Sequence, residues 1–398
     1  MFQNNLLMAA ASISGDAAYT VDNSCRFNDN DSATMTFTPT AGNRDTWTLS
    51  LWFKICASGG GTILNAGTGT NDTDFLDLKF SSSKLRVGGW STVFLETTAV
   101  FRDPGGWYHL VVALDTTQDA SINRLKMYMN GIEIIDFGTD NRSSLTQNAD
   151  RAVNGAFGHW LGSEAGSSSF FDGYIAQAVL IEGSQLMPTS FGEFNNNVWR
   201  PIDVTGLTFG DEGWLLDFAD SSDLGNDISG NNNDFTSSGL AANDQMTDTP
   251  TDNFATLSPI DPNTYTLSNG NLDYSSGGIT RGIRSGFYAP AGSGKWYFEG
   301  TPGTIGQYGI GICNADAVIK TSSPFSADFW TVSLFGDFFE SGSYPPGGGG
   351  TGTAFGSGDV IGVAFDLAAG KIWFSKNDVW MASGDPANGT NPAMDSVP

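Results

Sequence analysis

His109 in WYHLVV and His159 in FGHWLG are the only two histidines in this chain of 398 residues. Neither sits in a spacing with cysteine, serine or acid that would build a nucleophile–base relay. Glycoside hydrolysis needs two carboxyl groups facing one another across a groove. Two acid pairs come to mind, Glu133-Ile134-Ile135-Asp136 and Asp217-Phe218-Ala219-Asp220. Acids three apart on a strand point to opposite faces, so neither pair fits. No glycine-rich stretch carries the Gly-Lys-Ser/Thr of a phosphate loop. The chain therefore reads as a non-enzyme.

What remains is binding chemistry. Asn71-Asp72-Thr73-Asp74 and Asp29-Asn30-Asp31 are oxygen-rich loops beside strands. Such loops are either solvated turns or sites for a hard cation such as Ca²⁺, with Asp72 and Asp74 as the candidate ligands. No other cofactor is indicated. Trp90 in VGGWST and Trp160 in GHWLG are flanked by glycine, at expected loops. An indole there is either core or a platform for the apolar face of a sugar. Trp90, His159 and Trp160 are thus the candidate ligand-binding residues.

The composition sets the frame. Glycine numbers 51, aromatic residues make 12%, and charged residues only 15%. That mixture describes strands and turns. Lys and Arg total 18 against 43 Asp and Glu, a net charge of −25. A chain this acidic repels phosphate backbones, which argues against nucleic acid as a partner. Cys25, Cys56 and Cys313 lie far apart, which fits neither a disulfide framework nor a zinc site. The start MFQNNLLMAAAS lacks a basic region, and no apolar run is long enough to span a membrane. Synthesis in a cytoplasm is expected.

The elements that must position these residues are strands. TWTLSLWFKI alternates Leu49, Leu51 and Phe53 against Thr48, Ser50, Trp52 and Lys54. GGWYHLVVALDTT and FDGYIAQAVLIEG are longer strands, the second apolar enough to be covered on both faces. LKMYMNGIEI carries Asn130-Gly131, a strong two-residue hairpin signal, and KIWFSKNDVW repeats the device with Asn377-Asp378. Together these predict an all-β chain of two β-sandwiches. Residues 1–16 read as an N-terminal anchor segment, 17–194 as the first sandwich, 195–270 as an Asn/Asp/Thr-rich connector and 271–398 as the second.

CRFNDNDSATMTF, TWTLSLWFK, GGWYHLVVALDTT, LKMYMNGIEI and FDGYIAQAVLIEG give residues 17–194 a resemblance to laminin-G-like, concanavalin A-like jelly rolls. That resemblance implies at most one Ca²⁺ at the sandwich rim, with no ligand transferable residue by residue. GKWYFEG, YGIGI and the run Gly358–Trp380 resemble the SPRY sandwich. There Asp378 stands where glycine is usual and Trp373 is an insertion. The family has further strands after the place of Trp380, so the resemblance implies either a longer natural chain or another element in that place.

The connector phrases FGEFNNNVWRP, NNNDFT and TDTPTDNFATLSPID, taken with both sandwiches, resemble virion proteins of marine bacteriophages. The implied role is a tail-fibre or receptor-binding adhesin recognising a host-surface glycan or protein through sandwich loops. Its partners would be other virion proteins and further copies of itself, a trimer being favoured. It would sit on the particle surface after assembly in the host cytoplasm. A capsid decoration or head-fibre protein is the alternative, and a polysaccharide depolymerase a third reading.

Overall fold

In the computed structural model of the protein, the structure describes residues 19–57, 60–260, 265–275, 282–303, 309–315, 317, 328–340, 343, 352–395 and 397. The expected anchor at residues 1–16 lies outside them, as does most of the stretch GSYPPGGGGTGTAFGSG at 342–358. Two units emerge. The first comprises residues 1–259 with 268–273, and the second residues 260–267 with 274–398.

In chain order the first unit contains β1 (Ser24–Phe27), β2 (Thr34–Phe37), β3 (Thr46–Ile55), β4 (Gly60–Ala66), β5 (Leu76–Ser81) and β6 (Lys84–Gly88). Then come β7 (Val93–Thr97), β8 (Tyr108–Asp115), β9 (Leu125–Met129), β10 (Ile132–Glu133), β11 (Phe137–Asp140) and β12 (His159–Leu161). β13 (Gly173–Glu182), β14 (Gly192–Asn195), β15 (Val198–Pro201), β16 (Trp214–Leu216), β17 (Thr236–Ser238) and β18 (Gln245–Met246) complete it. One sheet runs β10-β9-β8-β3-β13-β1-β18, with β16 also on β13. The other runs β11-β7-β6-β5-β4-β12-β2-β17.

Alternation places the core between them. Trp47, Leu49, Leu51 and Phe53 of β3 meet Leu76, Leu78, Leu85, Val87 and Leu161 of the opposite sheet. The other side of β3 was expected to be the polar one, yet it is closed as well. Thr48, Ser50, Trp52 and Lys54 are all buried, because the chain beyond residue 186 folds back across that face. Phe191, Val204, Phe209 and Leu215 make a second apolar layer there with Val111, Val179 and Ile181. This is why β13 is apolar on both faces. Its ladder to β3 shifts register between Ala176 and Val179, where Gln177 has a φ of 40°.

Of the segment 195–270, expected to be a connector, residues 195–259 and 268–270 belong to the first unit and 260–267 to the second. β16, β17 and β18 extend the sheets of the first unit. Trp214, Phe218 and Phe235 enter the main core. Asp244 accepts two hydrogen bonds from buried Arg26, at 3.1 and 2.8 Å. Lys54, wholly buried, donates to Asp248 Oδ2 at 2.7 Å, Asn253 Oδ1 at 2.9 Å and the Phe254 carbonyl at 2.7 Å. The DxSGNxN run is a polar knot. Asp227 accepts from the N–H groups of Leu215, Ser229 and Asn233, all between 2.8 and 2.9 Å.

In the second unit, strands Lys295–Gly300, Ile361–Asp366, Lys371–Lys376 and Val379–Trp380 form one sheet. Gly309–Cys313, Phe329–Ser333 and Phe338–Glu340 form the other. Val332, Phe338, Ile361, Val363, Ile372 and Phe374 fill the space between. The Asn377-Asp378 turn has φ of 48° and 64°, positive at both positions as a type I′ hairpin demands. Asn130-Gly131, at 49° and 80°, is the same device in the first unit. After Trp380 the tail turns back, one of the two readings that the resemblance left open. Met394 bridges to Ile372 and, with Val397, enters the core. Trp373 is buried beneath that tail, its Nε1 donating to the Thr390 carbonyl at 2.8 Å.

Candidate functional site

The sheet containing β4, β5, β6 and β12 has one face on the core. Residues of the opposite parity face outward, and the register puts four of them in one row. Trp160 pairs with Asn65, Asn65 with Asp77, and Asp77 with Gly88. Trp160 is half-buried, and its indole lies over Gly158 and beside Gly166. A Cβ on Gly158 would fall 2.5 Å from the indole, so the flanking glycines give that ring its seat.

Around this row stands a fence of ion pairs. Lys79 Nζ contacts Glu164 Oε2 at 3.0 Å and Asp77 Oδ2 at 2.5 Å. Arg86 Nη2 meets the same Asp77 oxygen at 3.1 Å. Asp77 is 1% exposed, and its Oδ1 and the Arg86 Nε are buried without hydrogen-bond partners. Asn65 is spent on structure: its Nδ2 donates to the Leu76 carbonyl and its Oδ1 accepts from the Ala165 N–H. Trp160, Lys79, Glu164 and Arg86 are partly exposed on this face.

Trp90 is 54% exposed in the turn between β6 and β7, edge-on to Phe75 at 5.6 Å. Its neighbours explain the two acids. Asp72 Oδ1 accepts from the Ser91 N–H at 2.8 Å. Burial works against the Asp72 charge, but hydrogen bonds from Thr92 and Ser91 hold its carboxyl below the usual range. Asp74 is held low by hydrogen bonds from Asn71 and Arg44, whose Nη2 lies 3.0 Å from its Oδ1. A guanidinium on one carboxylate and a backbone donor on the other do not suit a cation. Among the described residues, no group of three or more His, Cys, Asp or Glu could hold a metal ion. Asp72 and Asp74 tie loops together, and the cation expected there does not fit.

His159 is likewise corrected. It is 2% exposed and accepts at Nε2 from the Asn154 N–H at 3.0 Å. Its Nδ1 therefore carries the proton and donates to the Phe157 carbonyl at 2.8 Å. Burial lowers its pKa to about 4, so the ring is neutral and closed to a ligand. His109 is buried between Trp52, at 4.7 Å, and Trp199, at 5.8 Å. Trp199 Nε1 donates to its Nδ1 at 3.0 Å, and Ser50 Oγ lies 2.8 Å from its Nε2.

The structure thus brings Trp90 and Trp160 to one sheet, and turns His159 inward from its neighbour. Sequence reading missed Asp77, Lys79 and Arg86. FLDLKF did carry the signal, because Asp77 and Lys79 alternate with core residues. Among the described residues, no helix is long and apolar enough to cross a membrane, which does not bear on β-barrels.

Residues 28–183 match the concanavalin A-like lectin/glucanases superfamily, and residues 295–385 match the SPRY domain. No curated protein matches the chain. Among solved structures, the chain is similar to a putative carbohydrate binding protein from Bacteroides ovatus, with 13% identity and a TM-score of 0.38 over 55% of this chain and 58% of that one. It is also similar to domains LG4-5 of the mouse laminin alpha1 chain, with 12% identity and a TM-score of 0.34 over 98% and 84%. A heptameric SAP-like pentraxin from Limulus polyphemus shows 15% identity and a TM-score of 0.33 over 43% and 80%. The chain is an all-β protein with a concanavalin A-like/laminin G domain followed by a SPRY domain.

Proposed function

We propose that this protein is a non-enzymatic adhesin that takes a saccharide on the outer face of the β4–β5–β6–β12 sheet. The observation that carries the reading is Trp160, seated between glycines beside the paired charges of Lys79, Glu164 and Arg86. An aromatic platform next to fixed polar groups is the usual chemistry of sugar recognition: the ring takes the apolar face and the polar groups take hydroxyls. Glycoside hydrolysis needs two free carboxyl groups facing one another. Here the Lys79 ammonium contacts both Asp77 and Glu164, at 2.5 and 3.0 Å, and Asp77 is buried, which supports a binding role.

The setting we propose is the surface of a bacteriophage particle, as a tail-fibre-like homotrimer anchored by residues 1–16. That part rests on the sequence resemblance alone. Weak sites repeated on one particle would add up through avidity.

The test is a glycan array with the full chain, repeated with Trp160→Ala. Stacking on one ring is worth about 0.5–1.5 kcal/mol, so the variant should bind about two- to tenfold more weakly. Unchanged binding by Trp160→Ala would move the site elsewhere, and reducing-sugar release from a bound glycan would overturn the non-enzymatic reading. Immunogold microscopy with antibody to residues 17–194 tests the setting. Label on tails supports the adhesin, label over heads favours a decoration protein, and unlabelled particles remove the virion from the account.

A further inference from the structure

The outer face of the four-stranded sheet in the second unit holds an aromatic corner that the saccharide reading does not use. Tyr297 is 51% exposed and opposes Ala364, two positions along the strand from Gly362. A Cβ on Gly362 would fall 2.5 Å from the Tyr297 hydroxyl and 2.4 Å from Ser375 Oγ. Only glycine there leaves room for the phenol hydroxyl beside Ser375. Trp380, opposite Ser375 on the next strand, stands beside it. The two ring centroids are 6.3 Å apart at an interplanar angle of 68°. The Tyr297 hydroxyl donates to Glu299 Oε1 at 2.7 Å, which fixes a carboxylate at the edge of the corner.

The basic side chains around it are each held by other partners. Lys295 Nζ is turned to the carbonyls of Pro386 and Ala387, at 3.2 and 2.9 Å. Lys376 is paired with Asp359 at 3.0 Å, and Lys371 donates to the Gly389 carbonyl at 2.7 Å. Glu299 remains at the corner, and Asp378 is close enough to act on the phenol. Burial, then the Glu299 hydrogen bond, push the phenol up to about 12, so it stays a neutral ring. Two ring faces at this angle and separation place a cation seated against both within about 6 Å of each centroid.

We propose that Tyr297, Trp380 and Glu299 bind a methylated ammonium group, such as the head of a quaternary amine. The rings offer their negative faces to a weakly hydrated cation, and the carboxylate balances its charge. Bare metal ions and neutral sugars would gain less, the first by stronger hydration and the second by lacking charge.

The probe is tetramethylammonium or choline, titrated into the full chain and followed by tryptophan fluorescence and NMR. The comparison compound is 3,3-dimethylbutanol, a neutral molecule of the same shape as choline. Choline should bind about three- to thirtyfold more tightly than the neutral compound. Tyr297→Leu and Glu299→Gln should each remove most of that preference. Tyr297→Phe keeps the ring and should keep it, which separates loss of the site from loss of the fold. Equal affinity for the neutral compound, or preference surviving Tyr297→Leu, would overturn the proposal. A hexose competing as well as choline would overturn it too. The outcome is independent of Trp160, so it leaves the saccharide site standing or falling by its own test.

Discussion

Removing Asp248 should unlock the first unit. Lys54 Nζ is fully buried, and its three partners all come from the stretch 248–254. Asp248 also takes the Trp107 indole N–H at 2.9 Å and the Phe254 N–H at 3.2 Å on its second oxygen. Asp248→Ala would leave an ammonium in the interior with only two neutral acceptors. Breaking one side of a buried ion pair costs about 3–5 kcal/mol. Domain stability totals roughly 5–15 kcal/mol, so this is a large fraction of it. In a unit of this size each kcal/mol moves the midpoint about 2–4 °C, which gives a fall of roughly 6–20 °C. Scanning calorimetry of the full chain would show it, with the transition of the second unit unmoved. Lys54→Met with Asp248→Leu removes both charges, and should recover more than half the loss because no charge is stranded. The same reasoning says that residues 17–194 alone cannot fold stably. A loss below about 1 kcal/mol for Asp248→Ala, or a fragment 17–194 as stable as 17–273, would refute the argument that the connector is part of the fold.

Three further outcomes follow from individual groups. Burial, then the nearby charge of Asp29, raises Asp172 to about 7. Its native carboxyl holds a proton more tightly than the unfolded one, so the stability it lends is present below about pH 4 and lost as pH rises through 7. Asp172→Asn should therefore raise the urea midpoint relative to the parent at pH 8 by the equivalent of about 1–3 kcal/mol, and change nothing at pH 4. Burial lowers His109 to about 3, the opposite case. Its contribution is present above about pH 6.5 and lost as pH falls toward 3, at up to about 1.4 kcal/mol per pH unit. His109→Gln should flatten that part of the pH–stability curve, and an unchanged slope would show that the ring takes a proton where it sits. Asp378→Gly should stabilise the second unit by up to about 1 kcal/mol, because φ of 64° costs glycine nothing. A lower calorimetric midpoint for Asp378→Gly would contradict the type I′ assignment.

Much of this protein was legible in its residues alone, and the reasons are local. The period of two in TWTLSLWFKI, the type I′ turns at Asn130-Gly131 and Asn377-Asp378, and the glycines around Trp160 act within a few residues. They determined two β-sandwiches and one aromatic platform wherever the chain went. Facing was also legible in part: Leu49, Leu51 and Phe53 point to the core as alternation requires.

What tertiary structure alone decided is long-range pairing. Lys54 alternates onto the face that a sequence would give to water, and it is buried because Asp248 arrives from 194 residues away. His159 and Trp160 are adjacent, yet one closes a loop inside and the other faces out, a matter of strand register. Asp74 looks like a cation ligand until Arg44, from 30 residues earlier, fills the place of the cation. A charge announces that it needs a partner; only the folded chain, by bringing distant segments within bonding distance and out of water, determines which partner it has.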